Sequence, residues 1–185
     1  VQVKGEQTML FKKRLQNRAV ERLKKRAPSN FMPIGNAHRV AFILESDEEG
    51  IEESVDYLVK ELIDRGIKWI GMVVERHNKR SVDFSHRGDF IIIRNTDLTY
   101  YGLPKSIDKI EQLNEKFDIL IDISANYEFT THYISRYIDA TFKVGRYSSE
   151  SDSAYDFIAK AADDNPLQYI KQVIHYLESI KPARL

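Results

Sequence analysis

Short, nearly uninterrupted apolar runs recur along this chain, with amphipathic helical segments between them. That alternation constrains the fold more than any other feature. The clearest run is Asp118-Ile119-Leu120-Ile121-Asp122-Ile123-Ser124. A strand this apolar has to be covered on both faces, as a central strand of a parallel sheet is. Val40-Ala41-Phe42-Ile43-Leu44, Lys68-Trp69-Ile70-Gly71-Met72-Val73-Val74 and Phe90-Ile91-Ile92-Ile93-Arg94 read in the same way. Thr141-Phe142-Lys143-Val144 follows, and Tyr155-Asp156-Phe157-Ile158-Ala159 is suited to an edge.

Between these runs the period changes from two to 3.6. Ser46 and Asp47 stand as caps ahead of Glu48, Glu49, Glu52 and Glu53, acids that favour the positive end of a helix. Ile51, Val55, Leu58, Val59, Leu62 and Ile63 make the apolar face of that helix, and Arg65-Gly66 ends it. Ser106 is placed to cap a helix carrying Ile107, Ile110, Leu113 and Phe117, and another helix is predicted over about 127–138. Asn165-Pro166 with Gln168 is a strong start signal for a last helix, whose buried face is Ile170, Val173, Ile174, Leu177 and Ile180. Strands alternating with such helices predict an α/β fold: a three-layer, Rossmann-like domain with a mostly parallel sheet. The 185 residues suit one such body over 37–185, preceded by a basic N-terminal helical arm and linker over 1–36.

The chain carries 28 basic and 28 acidic side chains, but they are sorted. Residues 1–28 hold nine basic groups against Glu6 and Glu21, a net of +7, which leaves −7 on the rest. Nine acids between Glu45 and Arg65 face only Lys60 and Arg65. The predicted helix over 8–26 has a narrow apolar stripe, Phe11, Leu15, Ala19 and Leu23, so it docks partly and leaves its cations in water. A basic arm on an acidic body points to an anionic partner.

For nucleic acid, the phosphate-contacting candidates are Lys12, Lys13, Arg14, Arg18, Arg22, Lys24, Lys25 and Arg26 on the arm. Arg76, Lys79 and Arg80 add a second cluster, with His77, His86 and Arg87 nearby. The aromatics Phe84, Tyr100 and Tyr101 lie close in sequence, and exposed rings beside cations hold single-stranded RNA by stacking. The plain alternatives are a polar loop between strands and an arm that rests on the acidic helix over 48–65. An anionic membrane surface is a further alternative, although the helix offers little apolar area.

A second set of candidates belongs to the carboxyl edge of the sheet, where open parallel sheets bind ligands. Ser46, Asp122, Ser124, Asn126 and Arg146 fall there: Asp122 to offer a carboxylate to the crevice, Ser124 or Asn126 to hold a phosphate or sugar hydroxyl. Arg146, with Ser148, Ser149, Ser151 and Ser153, is placed to clasp an anion. The alternative is structural, with Ser124 and Asn126 capping the following helix and Asp122 internally paired.

Without cysteine, no disulfide scaffold, thiolate zinc site or cysteine catalysis is available, and a reducing compartment fits. His77 and His86 have no third ligand in pattern, so neither a metal nor a cofactor is expected. GxGxxG, Walker A, GxSxG and HExxH motifs are absent. No apolar run approaches the roughly 18–20 residues needed to cross a bilayer, and no signal-peptide core opens the chain.

At Phe117-Asp118-Ile119-Leu120-Ile121-Asp122-Ile123-Ser124, Phe142-Lys143-Val144-Gly145-Arg146 and Tyr155-Asp156-Phe157, the chain resembles an uncharacterised family of Bacteroidetes proteins known only as a domain of unknown function. The basic helix ahead of the first strand resembles the layout of that family, which implies a Rossmann-like body over most of the chain and supplies no catalytic assignment to carry onto any residue here. The central strand is also similar to one in glycosyltransferases built from two Rossmann domains, whose second domain has no counterpart here.

Together these features predict a non-enzymatic cytoplasmic binding protein whose arm docks RNA or a ribonucleoprotein. A small-ligand binder or transferase-like enzyme, acting on a phosphorylated or sugar-nucleotide ligand at the strand edge, is the alternative. Self-association of basic and acidic helices in an assembly protein is the third.

Overall fold

The computed structural model describes residues 2–23, 28–75, 81–126, 128–147, 154–160 and 165–180, with backbone alone for 2–8 and 109. Its elements run in the order α1 (Gln2–Glu21), β1 (Arg39–Glu45), α2 (Ile51–Asp64), β2 (Lys68–Val74), β3 (Phe90–Ile93), β4 (Phe117–Asp122), α3 (Phe129–Tyr137), β5 (Ala140–Arg146), β6 (Phe157–Ala159) and α4 (Pro166–Ser179). The strands form one sheet, parallel at every pairing, in the order β3-β2-β1-β4-β5-β6.

The apolar runs become strands because both faces are covered. In β1, Val40, Phe42 and Leu44 join the core under α2 and α4. Ala41 and Ile43 join the core on the other face, with Ile134 of α3 and with Ile107 and Leu113. This is the three-layer, Rossmann-like α/β arrangement expected from the strand–helix alternation. Gly71 and Gly145 admit rings where a side chain would not fit: a Cβ on Gly71 would lie 2.6 Å from Phe90 Cε1 and 2.8 Å from Phe42 Cε2.

Helix α2 ends as expected, with Arg65 as its C-cap and Gly66 following at φ 69°. Its start differs: Gly50, at φ 76°, is the N-cap, and Ser46 and Asp47 lie upstream of it. Ser46 is instead spliced into the sheet edge, its amide donating to Val74 O and its carbonyl accepting from Val82 N. Ile63, expected on the buried face, is 60% exposed. In α4 the Asn165 side chain accepts from the amides of Leu167 and Gln168, and Pro166 occupies the first turn. Ile180 lies beyond the packed face and is exposed.

The helix expected after Ser106 is replaced by two single 3-10 turns, Ile107–Lys109 and Glu111–Leu113. Phe117 is recruited into β4, where it pairs with Ala140 of β5. That pairing takes the last apolar residue of the expected helical face into the sheet. Ahead of β1, Ile34 is buried in the core and Phe31 packs edge-on against Phe142 at 5.2 Å.

Candidate functional site

The basic helix α1 lies against α3, on the face of the sheet opposite α2. Its inner side is Leu15, Gln16, Ala19, Val20 and Leu23, all half-buried, and Gln16 Nε2 donates to Tyr101 O at 3.0 Å. Phe11, expected in that stripe, is instead 58% exposed and meets Tyr101 edge-on at 6.4 Å. The arm therefore does not rest on the acidic helix. Lys12, Lys13, Arg14, Arg18 and Arg22 are all exposed, and none makes an ion pair with a described residue. Between α1 and α3 runs a groove of about 980 Å³, lined by Lys12, Lys13, Asn17, Phe129, His132 and Arg136 among others.

The remaining basic candidates fall into two groups. Lys24, Lys25, Arg26, Arg76, Lys79 and Arg80 lie outside them. Arg87 is held by the acidic helix, 2.7 Å from Asp56 and 3.3 Å from Glu52, and stacks over the Phe84 ring. Phe84, considered as an exposed stacking residue, is buried, because it packs against Phe90 in the α2-side core.

The reversal of strand order between β1 and β4 places a topological switch point where open α/β sheets bind ligands. Ser46, Asp122, Ser124 and Arg146 all reach that carboxyl edge, and all four are buried; Asn126 is exposed beyond it. Asp122 does not offer its carboxylate to solvent. Oδ1 accepts from Ser124 N at 3.0 Å, and Oδ2 accepts from Ser135 Oγ at 3.0 Å and from the Tyr155 hydroxyl. Its carbonyl accepts from the Tyr169 hydroxyl at 2.9 Å. Burial pushes the Asp122 carboxyl above the usual aspartate range, against the hydrogen bonds from Tyr155, Ser124 and Ser135 that hold it down. Burial, followed by the charge of Asp122, pushes the Tyr155 and Tyr169 hydroxyls well up, so both remain donors.

Arg146 is spent largely on the protein itself. Nη1 pairs with Glu48 and donates to Ile123 O at 3.3 Å, and the guanidinium lies 5.7 Å over the Tyr169 ring. Only Nη2 is buried with no hydrogen-bond partner. The serines proposed to complete its anion clasp, Ser148, Ser149, Ser151 and Ser153, lie outside the described residues. Neither Ser124 nor Asn126 caps α3, which starts at Phe129 after Glu128.

Lys143, Ser135 and Tyr155 escaped the sequence-based candidates, although Lys143 carried a signal. A lone cation inside an apolar strand has to find acceptors. It finds them at the end of α3, where its buried Nζ donates to Ser135 O at 2.6 Å and to Ile138 O. Those carbonyls are orphans of the helix terminus, and a cation there also suits the helix dipole.

Fold and surface thus define a doubly wound α/β protein with a closed, internally paired strand edge and an open basic helix. The model of the Family of unknown function (DUF6913) matches residues 7–180, and the chain belongs to that family. No curated protein matches it. Among the described residues no helix is long and apolar enough to cross a membrane.

Proposed function

We propose that this chain is a non-enzymatic binding protein of the bacterial cytoplasm in which α1 docks RNA or a ribonucleoprotein and the sheet serves as its platform. One observation carries the reading: five cations of α1 stand exposed and without ion pairs among the described residues, on the side away from acidic α2. Arg14, Arg18 and Arg22 follow one another at four-residue spacing, a row with steps of about 6 Å along the helix. Such a row neutralises successive phosphates and releases their counterions, which makes affinity steeply salt-dependent.

The test is RNA binding by fluorescence anisotropy at several salt concentrations, with the whole chain and with Lys12, Lys13, Arg14, Arg18 and Arg22 all replaced by Gln. For single strands the log–log salt slope should flatten by up to about 3.5, at about 0.7 per lost contact. Equal affinity and slope for both proteins would refute the proposal, as would binding to anionic vesicles with none to RNA.

A second reading, a small phosphorylated ligand at the strand edge, is supported by the buried, unpartnered Arg146 Nη2 at the switch point. A rise in melting temperature with inorganic phosphate or a sugar nucleotide, lost in Arg146→Lys, would favour it. No shift with either would remove it.

A further inference from the structure

The turn that follows β3 carries two aromatic rings toward α1. Tyr100 is 78% exposed, the largest exposure of any large hydrophobic side chain in the described residues. Its ring meets that of Tyr101 edge-on at 5.5 Å, and Tyr101 in turn meets Phe11 of α1. Three rings thus bridge the turn and the basic helix.

The mount is stiff. Gly102 sits at φ 79°, where a β-carbon would be strained, and its amide donates to Thr99 O at 2.9 Å. Leu103 N donates to Thr99 Oγ1 at 3.1 Å, Thr130 Oγ1 of α3 donates to Gly102 O at 2.9 Å, and Leu98 bridges Pro104 across the base of the turn. A ring held outward by a pinned turn loses little freedom when it stacks on a ligand.

Beneath Tyr100 lies a pocket of about 310 Å³, lined by Lys12, Gln16, Asn95, Tyr100, Tyr101 and Glu128 among others. This is the small end of the range for ligand pockets, with space for a single ring system rather than a helix or duplex. Lys12 lines both this pocket and the larger groove between α1 and α3, so a chain of phosphates can pass from one to the other beside a cation. The amide side chain of Asn95 at the pocket suits the edge of a base.

Resting on the nucleic-acid reading above, we infer that the docked RNA is single-stranded, with an unpaired base stacked on Tyr100 at this pocket and its flanking phosphates on Lys12 and Lys13. A duplex cannot use the site, because its base faces are already stacked on one another and only its backbone and groove edges are presented.

The experiment compares a single-stranded 12-mer RNA with a duplex of the same sequence, by anisotropy, on the full chain. Wild type should prefer the single strand. Tyr100→Ala should weaken that binding about 5- to 150-fold, the range for one lost base–aromatic stack, while leaving the salt slope unchanged. Tyr100→Phe should bind like wild type, since stacking needs the ring and not the hydroxyl. The residue lies on an exposed turn, so far-UV circular dichroism should be the same for all three proteins. Equal binding of single strand by Tyr100→Ala and wild type, or a wild-type preference for duplex, overturns the stacking inference while the RNA reading stands. Failure of wild type to bind either RNA overturns both.

Discussion

Replacing Gly145 with Ala tests how the closed strand edge is built. A Cβ at Gly145 would lie 2.5 Å from Tyr155 Cγ and 2.7 Å from Cε2, and closer still to Cδ2, where 3.4–4 Å is ordinary contact. The ring therefore has to retreat by about an ångström, or the β5 backbone has to move. Retreat is opposed because the Tyr155 hydroxyl donates to Asp122 Oδ2, a buried carboxylate also held by Ser135 and Ser124. Overpacking costs about 1–3 kcal/mol, and releasing a hydrogen bond to a charged group costs about 1.5–3. Whichever route the protein takes, the loss should be about 1–3 kcal/mol, or roughly 2–12 °C in Tm for a chain of this size.

Urea denaturation and calorimetry of a double-mutant cycle isolate the cause. Tyr155→Ala removes the ring, at about 3–5 kcal/mol for an aromatic truncation. In that background Gly145→Ala should cost nothing or gain about 0.5 kcal/mol, because Ala is the better residue within a strand once space exists. Gly35→Ala, with no neighbour within 4 Å of the added carbon, is the control and should be nearly neutral. Equal destabilisation by Gly145→Ala with and without the Tyr155 ring would refute the steric reasoning.

Further predictions concern charge and capping. Asp122 has a carboxyl raised in the folded protein, so its contribution favours the fold at acid pH, below the unfolded value, and is lost as pH rises through the folded one. The stability of wild type relative to Asp122→Asn should accordingly fall from pH 4 upward in urea titrations; a gap that widens in favour of wild type would contradict the assignment. Arg146→Met deprives Glu48 of its buried cation and should cost about 3 kcal/mol, part of which returns in the double variant with Glu48→Gln. Additive losses would show that the pair is not coupled. Asn165→Ala removes the side chain that caps α4 and should cost about 1 kcal/mol by chemical denaturation, whereas no measurable loss would place the helix start under packing control alone.

The layers follow from local pattern alone. Runs such as the one at 118–124 can be buried only between two helix layers, and the face of α2 and the Asn165-Pro166 start of α4 follow from local spacing and capping chemistry. Local signals failed where long-range pairing outweighed them. The pairing of Phe117 with Ala140 took that residue out of a helix, and Ser46 entered the sheet edge instead of capping α2.

Strand order, and with it which residues face one another, is set by long-range packing. Asp122, Ser135 and Tyr155 are up to 33 positions apart in sequence, and nothing in their local patterns says that one carboxylate joins them. The place of the arm was decided in the same way. Its charge suggested both the acidic helix and an external anion, and packing on α3 set it on the opposite face from α2. Hydrophobic periodicity specifies that a face is buried; it carries no information about which of two layers does the burying.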